Sequence, residues 1–112
     1  MNIGDPELLN ELNELSVNLP KAIQRLAKSG RDLAAAEREY KIELAKESLR
    51  LKADGMAVTL IDKTVFGSGR VPDMRFKRDV AEVNYKTEQE NINGIKLQMR
   101  LLEAQLDREW KS

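Results

Sequence analysis

The chain has 112 residues, of which 41% are hydrophobic and 34% charged, with one Trp, two Tyr and two Phe; that length suits one domain, and that composition suits long solvated helices better than a compact globule. Nineteen basic and nineteen acidic side chains cancel, so no global field draws the molecule to nucleic acid or to an anionic membrane. With neither Cys nor His, disulfides, thiol nucleophiles, histidine bases and ordinary zinc sites are excluded.

The chain opens with Asp5, Glu7, Glu11 and Glu14 and has no early basic residue, and no apolar run is long. Neither a signal peptide nor a membrane span is expected, and the default is a soluble protein of the cytoplasm.

Asp5-Pro6-Glu7 is a helix-start signal: Asp as N-cap, Pro where a missing N–H costs nothing, and Glu against the positive end of the helix dipole. A short N-terminal helix is predicted over 5–18, ending in a break or sharp kink before Pro20, with Asn18 as a new cap. A long helix follows over 20–53, roughly 50 Å if continuous. A single seam runs through both segments: counted from Leu9 in alternating steps of three and four, it passes through Leu12, Ser16, Leu19, Ile23, Leu26, Gly30, Leu33, Glu37, Tyr40, Leu44, Glu47 and Leu51. Asp54-Gly55 closes this helix, the glycine supplying a left-handed C-terminal conformation.

Residues 54–72 form a tip region unlike its surroundings, with glycines, a proline and a cluster of branched apolar side chains. Met56, Val58, Leu60, Ile61, Val65 and Phe66 allow either a β-hairpin turning at Asp62-Lys63 or a compact loop with a short helix. Gly67-Ser68-Gly69 can offer backbone N–H groups to an anion but lacks the Gly-Lys-Ser/Thr ending of a phosphate loop. Arg70, Arg75 and Arg78 give the tip local positive charge, and the last two lie one helical turn apart, a spacing that suits gripping a phosphate or carboxylate. The plainer reading of the same residues is an Arg75–Asp79 pair at i,i+4 and a loop that re-enters a helix.

Pro72-Asp73 starts a final helix over 73–111, whose seam runs through Met74, Arg78, Ala81, Tyr85, Glu88, Ile92, Ile95, Met99, Leu102, Leu106 and Glu109. Gly94, inside it, marks a close approach or a soft point. Both long helices carry the phrase A-E-x-x-Y-K-x-E, at 36–43 and 81–88. The fold class expected is all-α: a long antiparallel helical hairpin of coiled-coil type with a short N-terminal helix, oligomerising into a helical bundle. Two helices cannot cover one another on both flanks, so a homo-oligomer, a dimer or larger, is expected. Its interface is assigned to Leu8, Leu12, Leu15, Tyr40, Tyr85 and Trp110.

No catalytic constellation emerges, because the paired carboxylates sit on helical faces among lysines with no apolar pocket to raise a pKa. A non-enzyme without cofactor or metal is expected.

The phrases "VTLIDKTVFGSGRVPDMRFKRDVAEVNYK", "ENINGIKLQMRLLEAQLDREW" and "AEREYKIELAKESLRLKADG" resemble the body of a set of small helical proteins encoded by prophages of Gram-positive bacteria. The similarity covers roughly residues 30–110 and is most specific at Thr59-Leu60-Ile61, Arg75, Arg78-Asp79, Ala81-Glu82, Tyr85-Lys86 and Arg108-Glu109-Trp110. It implies a gene among early phage functions, near recombination and counter-defence genes, and carries over no catalytic residue. The expected function is that of a phage accessory protein that binds or sequesters a host defence protein or its small anionic signal. Thr59, Leu60, Ile61 and Phe66 would supply contacts, and Arg70, Arg75 and Arg78 the anion grips. The alternatives are a nucleic-acid accessory of phage recombination, which predicts steep salt dependence, and a structural coiled-coil scaffold in which the tip is only a connector.

Overall fold

The computed structural model describes residues 6–111, and Asp5, the expected N-cap, lies outside them. Among the described residues there is no strand: α1 spans Pro6–Ala53, α2 Val58–Thr64 and α3 Val71–Lys111, with a 3-10 turn at Val65–Gly67. The tip is therefore the short-helix alternative and not a β-hairpin. No described helix is long and apolar enough to cross a membrane.

The expected break at Pro20 is absent, and with it the separate N-terminal helix. Pro20 sits inside α1, and Asn18 is an exposed mid-helix residue rather than a cap. Proline removes the bond that residue 20 would donate to the Ser16 carbonyl. Ser16 and Pro20 are both on the exposed side, where water can satisfy that carbonyl, while Leu19 and Ala22 keep the helix seated from the other side. The start of the last helix is shifted by two residues, to Val71, which leaves Pro72 in the first turn where its missing N–H is no loss.

The end of α1 follows the expected chemistry. Gly55 has φ 92°, its N–H bonds the Lys52 carbonyl at 3.0 Å, and the Met56 N–H bonds the Leu51 carbonyl at 3.1 Å. These are the two reverse bonds of a Schellman motif. Its usual hydrophobic contact is present too, since Met56 packs against the cluster that holds Leu51.

The described residues pack as two units, one made of residues 6–28 together with 86–111, the other of Ser29–Tyr85. In the first, Leu8, Ala22 and Ile92 are buried, and Arg25 pairs with Glu88 at 3.4 Å across the two helices. In the second, Tyr40, Leu51, Ile61, Val65 and Val71 form a core with Leu44, Met56 and Met74 packed against it. Each fully buried apolar side chain of this kind stabilises by roughly 1.5–3 kcal/mol. Here α1 and α3 run antiparallel: Gly30 lies against Tyr85, Glu39 pairs with Lys77 at 2.8 Å, and Tyr40 meets Arg78. This unit is a helical hairpin capped by α2.

One column of the α1 seam differs from expectation. Leu12, Leu19, Leu26, Leu33, Tyr40, Glu47 and Leu51 face inward, but Leu9, Ser16, Ile23 and Glu37 are exposed, and Leu8, Leu15, Ala22 and Ala36 take their places. A strict count started at Leu9 steps past these neighbours, and the close approach of two helices favours alanine at Ala22 and Ala36.

Candidate interaction site at the helical tip

Three devices fasten the tip to the hairpin. The Schellman turn at Gly55 aims the chain away from α1. Ile61 and Val65, one turn apart on α2 and the 3-10 turn that follows, are buried beneath it. The third device is Glu47, the only buried charged side chain among the described residues.

Glu47 stands at a seam position and meets the returning loop. Arg50, one turn along α1, donates Nε to both carboxylate oxygens at 3.0 and 3.1 Å, and the Ser68 hydroxyl donates to Oε1 at 2.5 Å. The Arg50 hydrogen bonds and then that of Ser68 lower the Glu47 pKa to about 2, well below the ordinary carboxylate value. The same contact raises the Arg50 guanidinium, which also reaches Asp54 at 3.0 Å. Gly69 has φ 55°, and a Cβ there would lie 2.9 Å from the Glu47 carboxylate. Only glycine satisfies both the conformation and the space. The Gly-Ser-Gly loop does meet an anion, but the anion is the chain's own carboxylate, and the Ser68 hydroxyl is what meets it.

With its back held, the tip turns apolar side chains outward. Val58, Leu60 and Phe66 are 64%, 55% and 45% exposed, and Thr59 lies open beside them. Ile61, expected among the contacts, is instead part of the core.

The three arginines do not converge. Arg78 is half-buried with its guanidinium 4.7 Å from the centre of the Tyr40 ring, and its Nη2 pairs with Asp79 at 2.8 Å. That hydrogen bond raises its pKa. Asp79 thus pairs with the adjacent Arg78 rather than with Arg75 at i−4. Arg70 and Arg75 are exposed. Nearby, Glu39 is held below the ordinary carboxylate range by its hydrogen bond from Lys77 and that cation's charge, with a smaller contribution from Arg70.

Of the residues assigned to an oligomer interface, Leu8 and Tyr40 are buried in the chain's own packing, and Leu12, Leu15 and Tyr85 are half-buried there. Trp110 is exposed. The repeated A-E-x-x-Y-K-x-E phrase has a packing role in both copies: Tyr40 receives Arg78, and Tyr85 lies 3.4 Å from where a Cβ on Gly30 would be. The Glu47 node was not singled out from sequence, although a carboxylate on an apolar seam was its signal.

Comparison with known proteins gives no match: no family model, no curated protein and no solved structure is significantly similar to the chain.

Proposed function

We propose that this chain is a non-catalytic phage accessory protein whose hairpin tip docks onto a host protein in the host cytoplasm, with a component of host defence as the partner. The observation that carries the reading is the exposure of the apolar side chains Val58 and Leu60 on α2 and Phe66 on the 3-10 turn, in a tip held by Ile61, Val65 and the Glu47 contact to Ser68. Exposed apolar side chains on a held tip, followed in the chain by the exposed cations Arg70 and Arg75, suit a mode of binding in which a few residues dominate the energy. The engagement of Arg78 with Tyr40 and Asp79 favours a protein partner over a small anionic signal, because one of the three expected grips is already in use. Self-association of the chain would present several such tips at once and add avidity.

The reading is tested by co-purification from phage-infected cells, comparing the native chain with a Leu60→Asp, Phe66→Ala variant. Both positions are exposed, so helicity is expected to be unchanged. A defined host protein held by the native chain and lost from the variant is the expected result. A native chain that carries no protein, or a variant that retains it, overturns the proposal.

A further inference from the structure

The last helix carries a second repeat that the chain's own packing leaves exposed, although Leu101 also borders a groove with Glu14 and Leu15 of α1. Within the first unit, Glu90, Gly94, Leu97, Leu101, Ala104 and Arg108 follow one another on α3 at alternating spacings of four and three, so they share one face. Each lies two residues beyond an inward-facing one of the series Glu88, Ile92, Ile95, Met99, Leu102 and Leu106, which puts this face roughly 200° around the helix from the intrachain seam. All of its members are exposed, Leu97 at 50% and Leu101 at 60%. Gly94 has nothing within 4 Å of the place a Cβ would occupy. A mid-helix glycine disfavours the helix by about 1 kcal/mol relative to Ala, and no contact within the chain requires it.

The charges on this face are complementary to the face itself. When it is laid antiparallel on its own copy about a two-fold axis midway between Leu97 and Leu101, Leu97 meets the partner's Leu101. Gly94 then meets the partner's Ala104, and Glu90 meets the partner's Arg108. Each contact occurs twice. The leucines make an apolar centre, the glycine–alanine pairs let the backbones approach closely, and opposite charges close both ends. On one flank Gln98 faces its own copy and Asn91 faces the partner's Gln105, so no charge is left unpaired there. On the other flank Arg100 faces its own copy at the axis, and as an exposed side chain it can extend into water.

The chain also has surface to spare for an interface of this size. The chain exposes 8120 Å², whereas a globular monomer of its mass exposes roughly 6,300 Å². The excess, about 1,800 Å², is larger than the ~800 Å² that each partner gives to a standard interface.

We infer that this face of α3 is a homodimer interface, antiparallel and two-fold, with Leu97 and Leu101 at its centre and Glu90–Arg108 pairs at its ends. The inference specifies the self-association invoked in the proposed function, while the tip needs no dimer to bind its partner.

Sedimentation equilibrium of the purified full chain tests it. The native chain is expected to be dimeric, and Glu90→Arg or Arg108→Glu alone should weaken the dimer roughly tenfold or more by setting like charges together. The double variant should recover most of that loss. Leu97→Gln with Leu101→Gln should give a monomer of unchanged helicity by circular dichroism. A native chain that is monomeric at about 50 μM, some fifty times a micromolar Kd, overturns the inference. So does a dimer whose double variant is no tighter than the single variants. Host-protein capture by the Leu97→Gln, Leu101→Gln monomer reads the tip separately, so failure of the dimer and failure of the proposed function are distinguishable.

Discussion

The Ser68 hydroxyl donates to Glu47 Oε1 at 2.5 Å, tying the end of the tip to α1 across twenty-one residues of chain. A carboxylate in this position has consequences for pH. Its pKa is about 2 in the folded protein against an ordinary 4.5, so the folded state holds the charged form more favourably than the unfolded chain does. The stability this contributes is complete above pH ~4.5 and is lost as pH falls towards 2. Replacing Glu47 by Gln should therefore lower the melting temperature at pH 7 and flatten the acid limb of the profile. Thermal melts of both proteins from pH 7 to pH 2 should converge as the pH drops. Parallel curves would mean that Glu47 does not hold the tip.

The glycines of the tip should rank by conformation and space. Gly69→Ala meets both a φ of 55° and a carboxylate 2.9 Å from the new methyl. Gly55→Ala meets only φ 92° in open space, and Gly67→Ala meets neither obstacle. Left-handed strain alone is about 1–2 kcal/mol. Urea unfolding should then place Gly69→Ala as the most destabilising, Gly55→Ala next and Gly67→Ala near neutral.

The sequence makes local features legible and leaves contacts across the chain obscure. The helix end at Asp54-Gly55 follows from residues within one turn, and its geometry is the expected one. Every seam position named on the last helix is buried or half-buried, because the run Ile92, Ile95, Met99, Leu102 and Leu106 fixes the register for the polar members between and beyond it. On α1 the count misplaced one column, since Ala22 and Ala36 give little hydrophobic signal against neighbours such as Ile23. The Glu47 contact was hidden for a different reason. Its partner Ser68 comes from a loop whose position depends on the packing of Ile61 and Val65. The arginines show the same limit: spacing put Arg75 and Arg78 together, but Tyr40, on the other helix, decides which of them is committed.

That commitment separates two roles. Arg78→Ala removes a guanidinium stacked at 4.7 Å on Tyr40 and should cost about 0.5–1 kcal/mol of stability. Arg75→Ala removes an exposed side chain and should leave stability within about 0.5 kcal/mol of the native value. In co-purification, Arg75→Ala should weaken host-protein capture without moving the melting temperature. If Arg78→Ala leaves the melting temperature unchanged, the contact with Tyr40 contributes nothing measurable.

Pro20 gives a test of the continuity of α1. As an interior helix residue it deprives the Ser16 carbonyl of a donor, a penalty of about 3 kcal/mol in a regular helix. Ser16 and Pro20 face solvent, so hydration recovers part of that loss and an alanine would recover more. Pro20→Ala should raise the melting temperature, and hydrogen exchange should slow at the amides from Lys21 to Gln24, whose carbonyl partners belong to residues 17 to 20. Were Asn18 instead the cap of a second helix, proline would stand in a first turn, where it is favoured. The same substitution would then leave stability unchanged or lower it, and protection at those amides would not rise. The direction of the change in melting temperature distinguishes one helix from two.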